Sequence, residues 1–351
     1  MKVSILWASL ASYSVALYRE LVRASGCRIQ LIYQPPNPNA PYQHFDLSFC
    51  ESAIADTPET RGTLESRVSE FGPDLILMAS WNYPHFMRIA KRMKKGGTFV
   101  LSGMDNQWSG SPRQWLGVLT SRQHLKPAIS TFLVAGDRQA AFARKLGYDD
   151  VLYGLYAADV ANFAGGRPVG ERPRQFLFVG RLVKEKGVGQ LLNAYSEYRK
   201  RSSDPWGLTV AGTGPLLEHV KAARGVNYVG FINPADLPNL FQQARCFVLP
   251  SLWEPWGVVL HEAAAAGLPL ICTYPCGAST VFVRDGLNGA VIPPKGPAIA
   301  AALSEFSRKT DQELETMSSY GRVLAELWTP TLAARYVMSS VRARLQLSQT
   351  R

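Results

Sequence analysis

The chain has 351 residues, 46% of them apolar, and a formal net charge of +11. Because this length exceeds a usual single core and the apolar content is too high for extended disorder, the composition predicts a globular protein of two domains. No apolar run approaches the roughly 18 residues of a transmembrane helix, and the amino-terminal strand-like run is too short for a signal peptide. We therefore expect a cytoplasmic protein.

The first half of the chain alternates strand-like and helix-like segments, which is typical of a parallel sheet. The clearest helix covers residues 12–25 and ends at Gly26, whereas the proline-rich residues 35–41 predict a loop. Residues 154–170, which contain Gly-Gly-Arg-Pro, are the expected hinge between the domains. The predicted strands of this half are 3–7, 29–33, 75–79, 99–101 and 131–134.

Basic residues are spread over both halves of the chain. Residues 1–160 hold 17 basic and 13 acidic side chains, out of 38 and 27 in total. No nucleic-acid-binding signature accompanies them, so no nucleic-acid partner is expected. The densest cluster, Lys-Arg-Met-Lys-Lys at 91–95, ends a helical segment and either complements the helix dipole or attracts an anionic membrane or acceptor. Peripheral membrane association at the inner face is therefore one expectation.

The cysteines and histidines show neither a disulfide framework nor a metal-binding pattern. The five cysteines lie at 27, 50, 246, 272 and 276 without paired close spacing, and the five histidines are scattered. The Asp-x-Asp triplet, whose two carboxylates can hold a divalent ion, does not occur in this sequence. We predict chemistry without a bound metal or a resident cofactor.

A second cluster of basic side chains follows a strand-like segment in the other half. The run Phe-Leu-Phe-Val-Gly at 176–180 is followed by Arg181 and Lys186. Two cations just past the carboxyl end of a strand suit a diphosphate, because ligands of open α/β sheets bind at that edge. An ordinary solvated basic loop has the same composition.

Glu254 and Glu262 stand eight positions apart, directly after an apolar strand-like run at 246–250. The alanines that follow Glu262 predict a helix, with Glu254 on the entering loop and Glu262 about two turns inside. The first N–H groups of a helix lack internal partners, so Gly257 and Val258 are expected to donate to a phosphate. The carboxylates then suit the hydroxyls of a sugar and a ribose, although this spacing is also typical of a solvated helix surface.

Taken in order, these segments resemble the carboxyl-terminal half of a family 4 glycosyltransferase, over roughly residues 175–295. The resemblance implies two Rossmann-like parallel-sheet domains facing across a cleft, which is the GT-B fold. It also implies transfer of a sugar from a nucleotide to an acceptor, with retention of configuration. The implied domains are 1–163 for the acceptor, 164–330 for the nucleotide sugar, and a helix at 331–351 packing back on the first. The other segments that carry the resemblance are 208–215, 226–231, 236–244, 268–272 and 283–289.

The resemblance also implies roles for individual residues. Arg181 and Lys186 are expected to hold the donor diphosphate, Glu262 the ribose hydroxyls and Glu254 the sugar hydroxyls. The charge of Glu254 also favours an oxocarbenium-like centre, and its action as a nucleophile stays open. The remaining expected donor-binding residues are Trp256, Gly257, Val258, Gly212 and Phe231.

The amino-terminal half departs from the family pattern. Relatives commonly carry a glycine pair after the first strand, where this chain has Ala-Ser-Leu-Ala-Ser-Tyr at 8–13. Relatives also often place a histidine after a middle strand, near the donor sugar. Here Asp105 follows the strand at 98–103 and His85 follows the strand at 75–79, so both are candidates for the acceptor or donor-sugar cleft. A glutamate that relatives often carry after a glycine-rich loop is absent from 276–281.

Three functions fit this sequence. The first is a retaining hexosyltransferase that builds a cell-surface polysaccharide on a saccharide or lipid-linked acceptor. The second is another GT-B enzyme, a sugar-nucleotide epimerase or a phosphorylase. The third is a non-catalytic GT-B partner subunit, which the departures in the amino-terminal half favour.

Overall fold

The computed structural model describes residues 1–35 and 45–349. The loop predicted at 35–41 lies, apart from Pro35, outside the described residues. The chain divides into two compact units, one formed by residues 1–157 and 330–351 and the other by residues 158–329. Each unit contains one parallel sheet.

The first unit alternates strands and helices along the chain. Its elements are Lys2–Trp7 (β1), Ser12–Ser25 (α1), Arg28–Tyr33 (β2), Ser52–Ala55 (β3), Leu64–Phe71 (α2), Leu75–Met78 (β4), Pro84–Lys95 (α3), Phe99–Met104 (β5), Pro112–His124 (α4), Thr131–Val134 (β6), Asp137–Lys145 (α5) and Leu152–Tyr153 (β7). The seven strands pair in the order β3-β2-β1-β4-β5-β6-β7. Strands β4 and β6 are buried at every position, as expected where helices cover both faces of a parallel sheet.

Most predicted elements of the first unit are confirmed, and the differences lie at the sheet edges and in β5. Helix α1 has the predicted bounds, and Gly26 ends it with a φ of 65°. The prediction missed β3 and β7, because a half-exposed strand of four residues and a strand of two carry too little periodicity. Strand β5 extends beyond the predicted residues 99–101 to Met104, where Gly103 and Met104 pair with Leu133 and Val134 of β6.

The second unit has the same alternation. Its elements are Val160–Phe163 (α6), Gln175–Val179 (β8), Val188–Arg201 (α7), Gly207–Ala211 (β9), Leu217–Ala222 (α8), Val226–Gly230 (β10), Leu237–Phe241 (α9), Cys246–Leu249 (β11), Val258–Ala265 (α10), Leu270–Thr273 (β12), Ser279–Phe282 (α11), Gly289–Ile292 (β13), Gly296–Phe306 (α12) and Asp311–Glu326 (α13). The six strands pair in parallel in the order β10-β9-β8-β11-β12-β13. Both sheets therefore have the predicted parallel α/β architecture.

The last helix, Pro330–Gln349 (α14), belongs to the first unit, where it packs against α1. Thr331 Oγ1 donates a hydrogen bond to Glu20 Oε2 at 2.8 Å, and Arg342 Nη2 donates to Ser25 O at 3.0 Å. Near its other end, Arg344 forms an ion pair with Asp150. That the two units fold independently as domains stays a prediction.

In residues 1–35 and 45–349, no helix is long and apolar enough to cross a membrane. All five cysteines lie in these ranges. Each carries a thiol group rather than forming a disulfide bond, and four of the five are buried.

Candidate functional site

The predicted site residues of the second unit lie on loops at the carboxyl ends of four neighbouring strands. In sheet order these strands are β10, β9, β8 and β11, and Val258 and Glu262 lie in the helix that follows the β11 loop. In open α/β sheets this edge is where ligands bind. The loops are joined to one another by backbone hydrogen bonds, so the side chains they carry are held in fixed positions.

The loop after β8 is fastened to the loop after β11. Glu185 O accepts hydrogen bonds from Leu252 N at 2.8 Å and from Trp253 N at 3.2 Å. Gly187 makes this approach possible, because a Cβ at this position would lie 2.0 Å from Pro250 O, and its φ of 69° is one that favours glycine. The short 3₁₀ turn Lys184–Lys186 is therefore pressed against the residues that precede Glu254.

The contact between these loops forms an ion pair between Lys186 Nζ and Glu254 Oε2. Ser251 Oγ donates a second hydrogen bond to the same carboxylate oxygen at 3.3 Å. Glu254 is 6% exposed as a residue, so this charge depends on its partners rather than on water. The structure thus joins two residues that the sequence analysis had assigned to different parts of the donor.

Helix α10 begins beside this ion pair. Gly257 caps the helix with a φ of 94°, and Val258 is its first residue. Among the described residues, none accepts a hydrogen bond from the backbone N–H groups of Trp256, Gly257 or Val258. The Trp256 side chain is buried against Phe282, and this contact anchors the residues that lead into α10. The helix terminus therefore offers donors and a positive dipole end next to Glu254.

The loop after β12 closes the other side of this segment. Gly277 N donates to Glu254 O at 3.1 Å, and Ala278 N donates to Trp256 O at 2.9 Å. Only a glycine fits at 277, since a Cβ there would lie 2.2 Å from Pro255 O. Burial, with the nearby Glu254 charge, raises the pKa of the Cys276 thiol to about 12, so the thiol stays protonated at neutral pH.

Glu262 lies inside α10, closer to its start than predicted. The helix begins at Val258, so Glu262 is its fifth residue, little more than one turn inside rather than two. The prediction of two turns was wrong because the segment from Glu254 to Gly257 is loop. Burial raises the pKa of Glu262 to about 7. In the part of the chain that the structure describes, no group donates a hydrogen bond to its carboxylate.

Gly212 and Phe231 lie on the loops that follow β9 and β10. Gly212 has a φ of 133°, and a Cβ at this position would meet Gly180 O at 1.9 Å. Its N–H donates to Gly230 O at 2.7 Å, and the Tyr228 hydroxyl donates to Gly212 O at 3.0 Å. Phe231 is the residue directly after β10, and it is partly buried. Gly212 thus lets the β9 loop lie against the β8 loop that carries Arg181.

Arg181 differs from Lys186, since its side chain is exposed. Within residues 1–35 and 45–349 the Arg181 guanidinium has no acidic partner within ion-pair distance. Its backbone is fixed by neighbours on both sides, with Gly180 N donating to Ala211 O and Leu182 N to Thr213 O. The loop therefore presents a guanidinium whose donors are available to a ligand.

The sequence analysis did not single out His261, which holds α10 in place. Ala158 N donates to His261 Nδ1 at 3.0 Å, and Nε2 lies 2.9 Å from Ala325 O, to which it donates. The ring stacks on Phe282 with centroids 3.8 Å apart. Burial lowers the pKa of His261 to about 4, so the ring is neutral. Its position directly before Glu262 was the signal available in the sequence.

Asp105 and His85, the candidates in the first unit, belong to separate hydrogen-bonded groups. The Tyr156 hydroxyl donates to Asp105 Oδ2 at 3.3 Å, and Gln139 Nε2 donates to Asp105 O at 2.7 Å. Burial, followed by the charge of Asp105, raises the pKa of Tyr156 well above its usual value. His85 Nε2 instead lies 2.9 Å from Asp56 Oδ2. Contact of either residue with a substrate stays a prediction.

Asp56 is the residue of this group that the sequence analysis missed. Its side chain is fully buried at the end of β3, the strand that was also missed. Burial alone would raise the pKa of Asp56, but hydrogen bonds and charges from Arg61 and His85 outweigh that effect and hold the pKa below its usual value. Asp56 therefore orients the His85 ring as a negatively charged acceptor.

Two parallel α/β units of this kind, with a cation, a carboxylate and a helix terminus at one sheet edge, define a protein of the GT-B type. Residues 163–323 match the family model described as Glycosyl transferases group 1. This match confirms the predicted resemblance to glycosyltransferase family 4 over the second unit.

Individual relatives agree with this assignment. A glycogen synthase from Mycobacterium tuberculosis is 37% identical over 147 residues, which cover 40% of this chain and 35% of that protein. Sucrose-phosphate synthase from Thermosynechococcus elongatus has a similar fold, with a TM-score of 0.76 at 17% identity over 99% of this chain and 100% of that one. HepE from Anabaena in complex with UDP also has a similar fold, with a TM-score of 0.76 at 14% identity over 98% of this chain and 100% of that one. These structures confirm the GT-B fold.

The matches to curated relatives cover only part of those proteins. The aligned segments span 36%, 42% and 35% of the length of the first three. The family model likewise matches within the second unit and not the first. The match to the family model therefore concerns the half that carries Glu254 and Lys186.

Proposed function

We propose that this protein is a retaining glycosyltransferase of the hexosyltransferase type, which moves a sugar from a nucleotide-sugar donor to an acceptor without a metal ion. The observation that carries the proposal is the Lys186–Glu254 ion pair beside the start of α10. This group combines a cation, a carboxylate and backbone N–H donors at the ligand-binding edge of a sheet that belongs to a glycosyltransferase family.

In this proposal the donor diphosphate lies between basic side chains and the helix terminus. Arg181 and Lys186 supply charge, and the N–H groups of Trp256, Gly257 and Val258 supply hydrogen bonds. As the bond from the sugar to the phosphate breaks, negative charge grows on the leaving phosphate. Groups that are already fixed stabilise that charge without reorganising, which lowers the barrier.

Glu254 would accept hydrogen bonds from sugar hydroxyls and orient the donor. Its negative charge also favours the positive charge that develops at the anomeric carbon. The acceptor hydroxyl attacks that carbon from the face that the phosphate leaves, and its proton passes to the leaving phosphate oxygen. No separate general base is then required, and the configuration is retained.

Glu262 would bind the ribose hydroxyls of the nucleotide. Its carboxylate is buried with a pKa of about 7, so it lacks the donors that normally stabilise the ionised form. Two ribose hydroxyls supply such donors. Gly212 and Phe231 would complete the donor site, Gly212 through its close backbone approach and Phe231 through its partly buried ring.

For the acceptor we propose a saccharide or lipid-linked saccharide of cell-surface polysaccharide biosynthesis, used in the cytoplasm at the inner membrane face. Asp105 and His85 would contact the acceptor or the donor sugar. Support for this part comes from the family and from the basic residues 91–95. Residues 1–163 would bind the acceptor and residues 164–330 the donor, with the helix at 331–351 packing back on the first domain.

Calorimetry with UDP, GDP, ADP and their common sugar conjugates tests the proposal. UDP comes first because HepE, which shares the fold, was solved with UDP. We expect one nucleotide to bind, and binding to weaken at least tenfold in Arg181→Ala. Product analysis by NMR should then give the anomeric configuration of the donor. If none of these nucleotides or sugar conjugates binds, the proposed donor site is rejected. A product with inverted anomeric configuration would reject the retaining mechanism.

The same experiments separate the two other functions that the sequence allowed. A phosphorylase would form a sugar phosphate when inorganic phosphate is added, and an epimerase would release a free sugar or an altered nucleotide sugar without any acceptor. A non-catalytic partner subunit would bind the nucleotide sugar but neither hydrolyse nor transfer it.

A further inference from the structure

Positive charge in the first unit is concentrated in residues 75–136. These residues contain eight Lys and Arg, and Asp105 is their one acidic residue. The rest of residues 1–160 contains nine Lys and Arg against twelve acidic residues. The charged segment includes helices α3 and α4, which follow neighbouring strands β4 and β5.

Helix α4 exposes large apolar side chains to solvent. Trp115, Leu116 and Leu119 are 53%, 62% and 75% exposed, and their spacing places them on one face of the helix. The opposite face packs inward, where Val118 contacts the core and Ser121 is buried. Exposed apolar groups clustered in this way mark an interaction surface more often than an ordinary soluble face.

Helix α3 carries five of these eight cations, and its end is joined to the turn that follows α4. Arg92 pairs with Glu65 of α2 on one side of α3. On the other side Lys94 Nζ donates to Lys126 O and Ile129 O, both at 2.6 Å, which joins the end of α3 to the turn after α4. The exposed Arg88, Lys91 and Lys95 recur at helical spacing along α3, between these two contacts.

We propose that α3 and α4 form a surface that binds an anionic lipid bilayer, with Trp115, Leu116 and Leu119 entering the interfacial layer. The basic side chains Arg88, Lys91 and Lys95 contact lipid headgroups. This combination of apolar side chains on one helix face with surrounding cations is typical of a helix lying in a membrane interface. Each cation near an anionic leaflet contributes about fivefold to binding.

Charge complementarity and the apolar side chains together favour a bilayer over other partners. A nucleic acid would satisfy the cations but leave the two leucines exposed to water. A second copy of the chain would cover the leucines but bring the two basic surfaces together, which is unfavourable. A bilayer with acidic headgroups satisfies both groups at once.

Vesicle co-sedimentation tests the proposal directly and does not depend on transferase activity. The probes are vesicles of phosphatidylcholine alone and of phosphatidylcholine with an equal amount of phosphatidylglycerol. We expect the full chain to bind the anionic vesicles at least tenfold more tightly than the neutral ones. Raising sodium chloride from about 0.05 M to about 0.5 M should weaken this binding, because the salt screens the headgroup charge.

Two variants and their matched controls locate the surface. Leu116→Ser with Leu119→Ser should weaken binding at least tenfold, whereas Leu327→Ser, a change at a leucine that is 63% exposed in the second unit, should not weaken it. Replacement of all three α3 cations, Arg88, Lys91 and Lys95, by Gln should have an effect similar to that of the leucine variant. All of these side chains are exposed, so thermal unfolding should stay within a few degrees of wild type.

A spectroscopic readout identifies the inserted residue. Brominated lipid should quench part of the tryptophan fluorescence in the wild type, and Trp115→Phe should remove that part. Absence of vesicle binding, or an equal loss in Leu327→Ser, would overturn the proposal. So would binding to duplex DNA that exceeds vesicle binding and is unchanged in the leucine variant. Self-association that the leucine variant abolishes, without vesicle binding, would assign the surface to a second copy instead.

Discussion

Lys186 Nζ donates a hydrogen bond to Glu254 Oε2 across 68 residues of sequence. The two side chains are 16% and 8% exposed, so the pair is largely withdrawn from water. Backbone contacts from Glu185 to Leu252 and Trp253 hold the two loops together independently of the charges. The geometry of the pair is therefore set by the fold before any ligand binds.

Replacing Glu254 by Gln should leave the fold intact and remove most of the activity. The amide keeps an oxygen that can accept hydrogen bonds from Lys186 and Ser251, so thermal stability should fall by only a few degrees. The negative charge that faces the developing positive centre is lost, so kcat should fall about 100-fold to 1,000-fold. Transfer or donor-hydrolysis rates, together with calorimetric nucleotide affinity, measure the two effects separately.

Glu185→Gln is the matched control, because its exposed side chain lies beside Lys186 while its contribution to the loop contact is made by the backbone. We expect wild-type rates in this variant. Wild-type activity in Glu254→Gln, or an equal loss in Glu185→Gln, would contradict the assignment of Glu254.

Arg181→Ala should weaken diphosphate binding and slow transfer without changing stability. The side chain is exposed and lacks an acidic partner among the described residues, so no folded contact is lost. A charge-assisted contact to a phosphate is worth about 1.5–3 kcal/mol, which corresponds to roughly 10-fold to 150-fold in affinity. Calorimetry with the preferred nucleotide diphosphate measures the change.

Lys184→Ala removes an exposed cation from the same loop and serves as the control. If both variants lose affinity equally, the loop acts through its general charge rather than through a contact of Arg181.

The predicted strands of the second half were correct because buried parallel strands form continuous apolar runs. Strands β8 and β11 are examples, with apolar side chains at four of five and four of four positions. The same runs located Arg181 and Glu254 on loops at one edge of the sheet. The position of these two candidate residues in the fold was therefore accessible from the sequence.

The pairing of Lys186 with Glu254 was not predictable in the same way. It depends on the approach of Gly187 to Pro250 O, and that approach is a tertiary contact without a local pattern. His261 was missed for a related reason, since a histidine in an apolar helix gives no indication that both ring nitrogens bind distant backbone groups. The apolar pattern of the sequence predicts helices and strands. Contacts between loops depend instead on how those helices and strands pack in the folded protein.

Gly212→Ala should destabilise the second unit and weaken nucleotide binding together. A Cβ at Gly212 would lie 1.9 Å from Gly180 O, and the φ of 133° is strained for alanine. The β9 and β8 loops must then separate, which displaces the backbone that positions Arg181. We expect a loss of about 2–4 kcal/mol in the free energy of unfolding, measured by denaturant titration.

Gly189→Ala is its control, since a Cβ at Gly189 has nothing within 4 Å and the position lies in α7. Alanine favours helix over glycine, so stability should stay equal or rise by up to about 1 kcal/mol. A stable, active Gly212→Ala protein would show that the loops tolerate separation.

His261→Leu should destabilise the protein without acting on the chemistry directly. The substitution leaves Ala158 N–H and Ala325 C=O without their partner, at about 1–3 kcal/mol for each buried group. The wild type also loses stability as pH falls from about 6.5 to 4, because the folded pKa of about 4 lies below that of the unfolded chain. Denaturant titrations over this range should show a weaker acid dependence in the variant; an unchanged dependence would contradict the neutral buried ring.

In the protein without bound nucleotide, Glu262 should lower the free energy of unfolding as pH rises. Its folded pKa of about 7 exceeds the ordinary value of 4.5, so the folded state binds more protons between these values. The stability of the wild type relative to Glu262→Gln should therefore fall across this range, by up to about 3 kcal/mol. Taking the difference between the two proteins cancels the opposite trend from His261.

Nucleotide binding should reverse this penalty if ribose hydroxyls donate to the Glu262 carboxylate. The ionised form is then favoured, so binding near pH 6.5 should release a proton and become tighter as pH rises. Calorimetry in two buffers of different ionisation enthalpy counts the released proton, and Glu262→Gln should abolish it. A nucleotide that binds the wild type without proton release, or releases the same proton from the Gln variant, would place the ribose elsewhere.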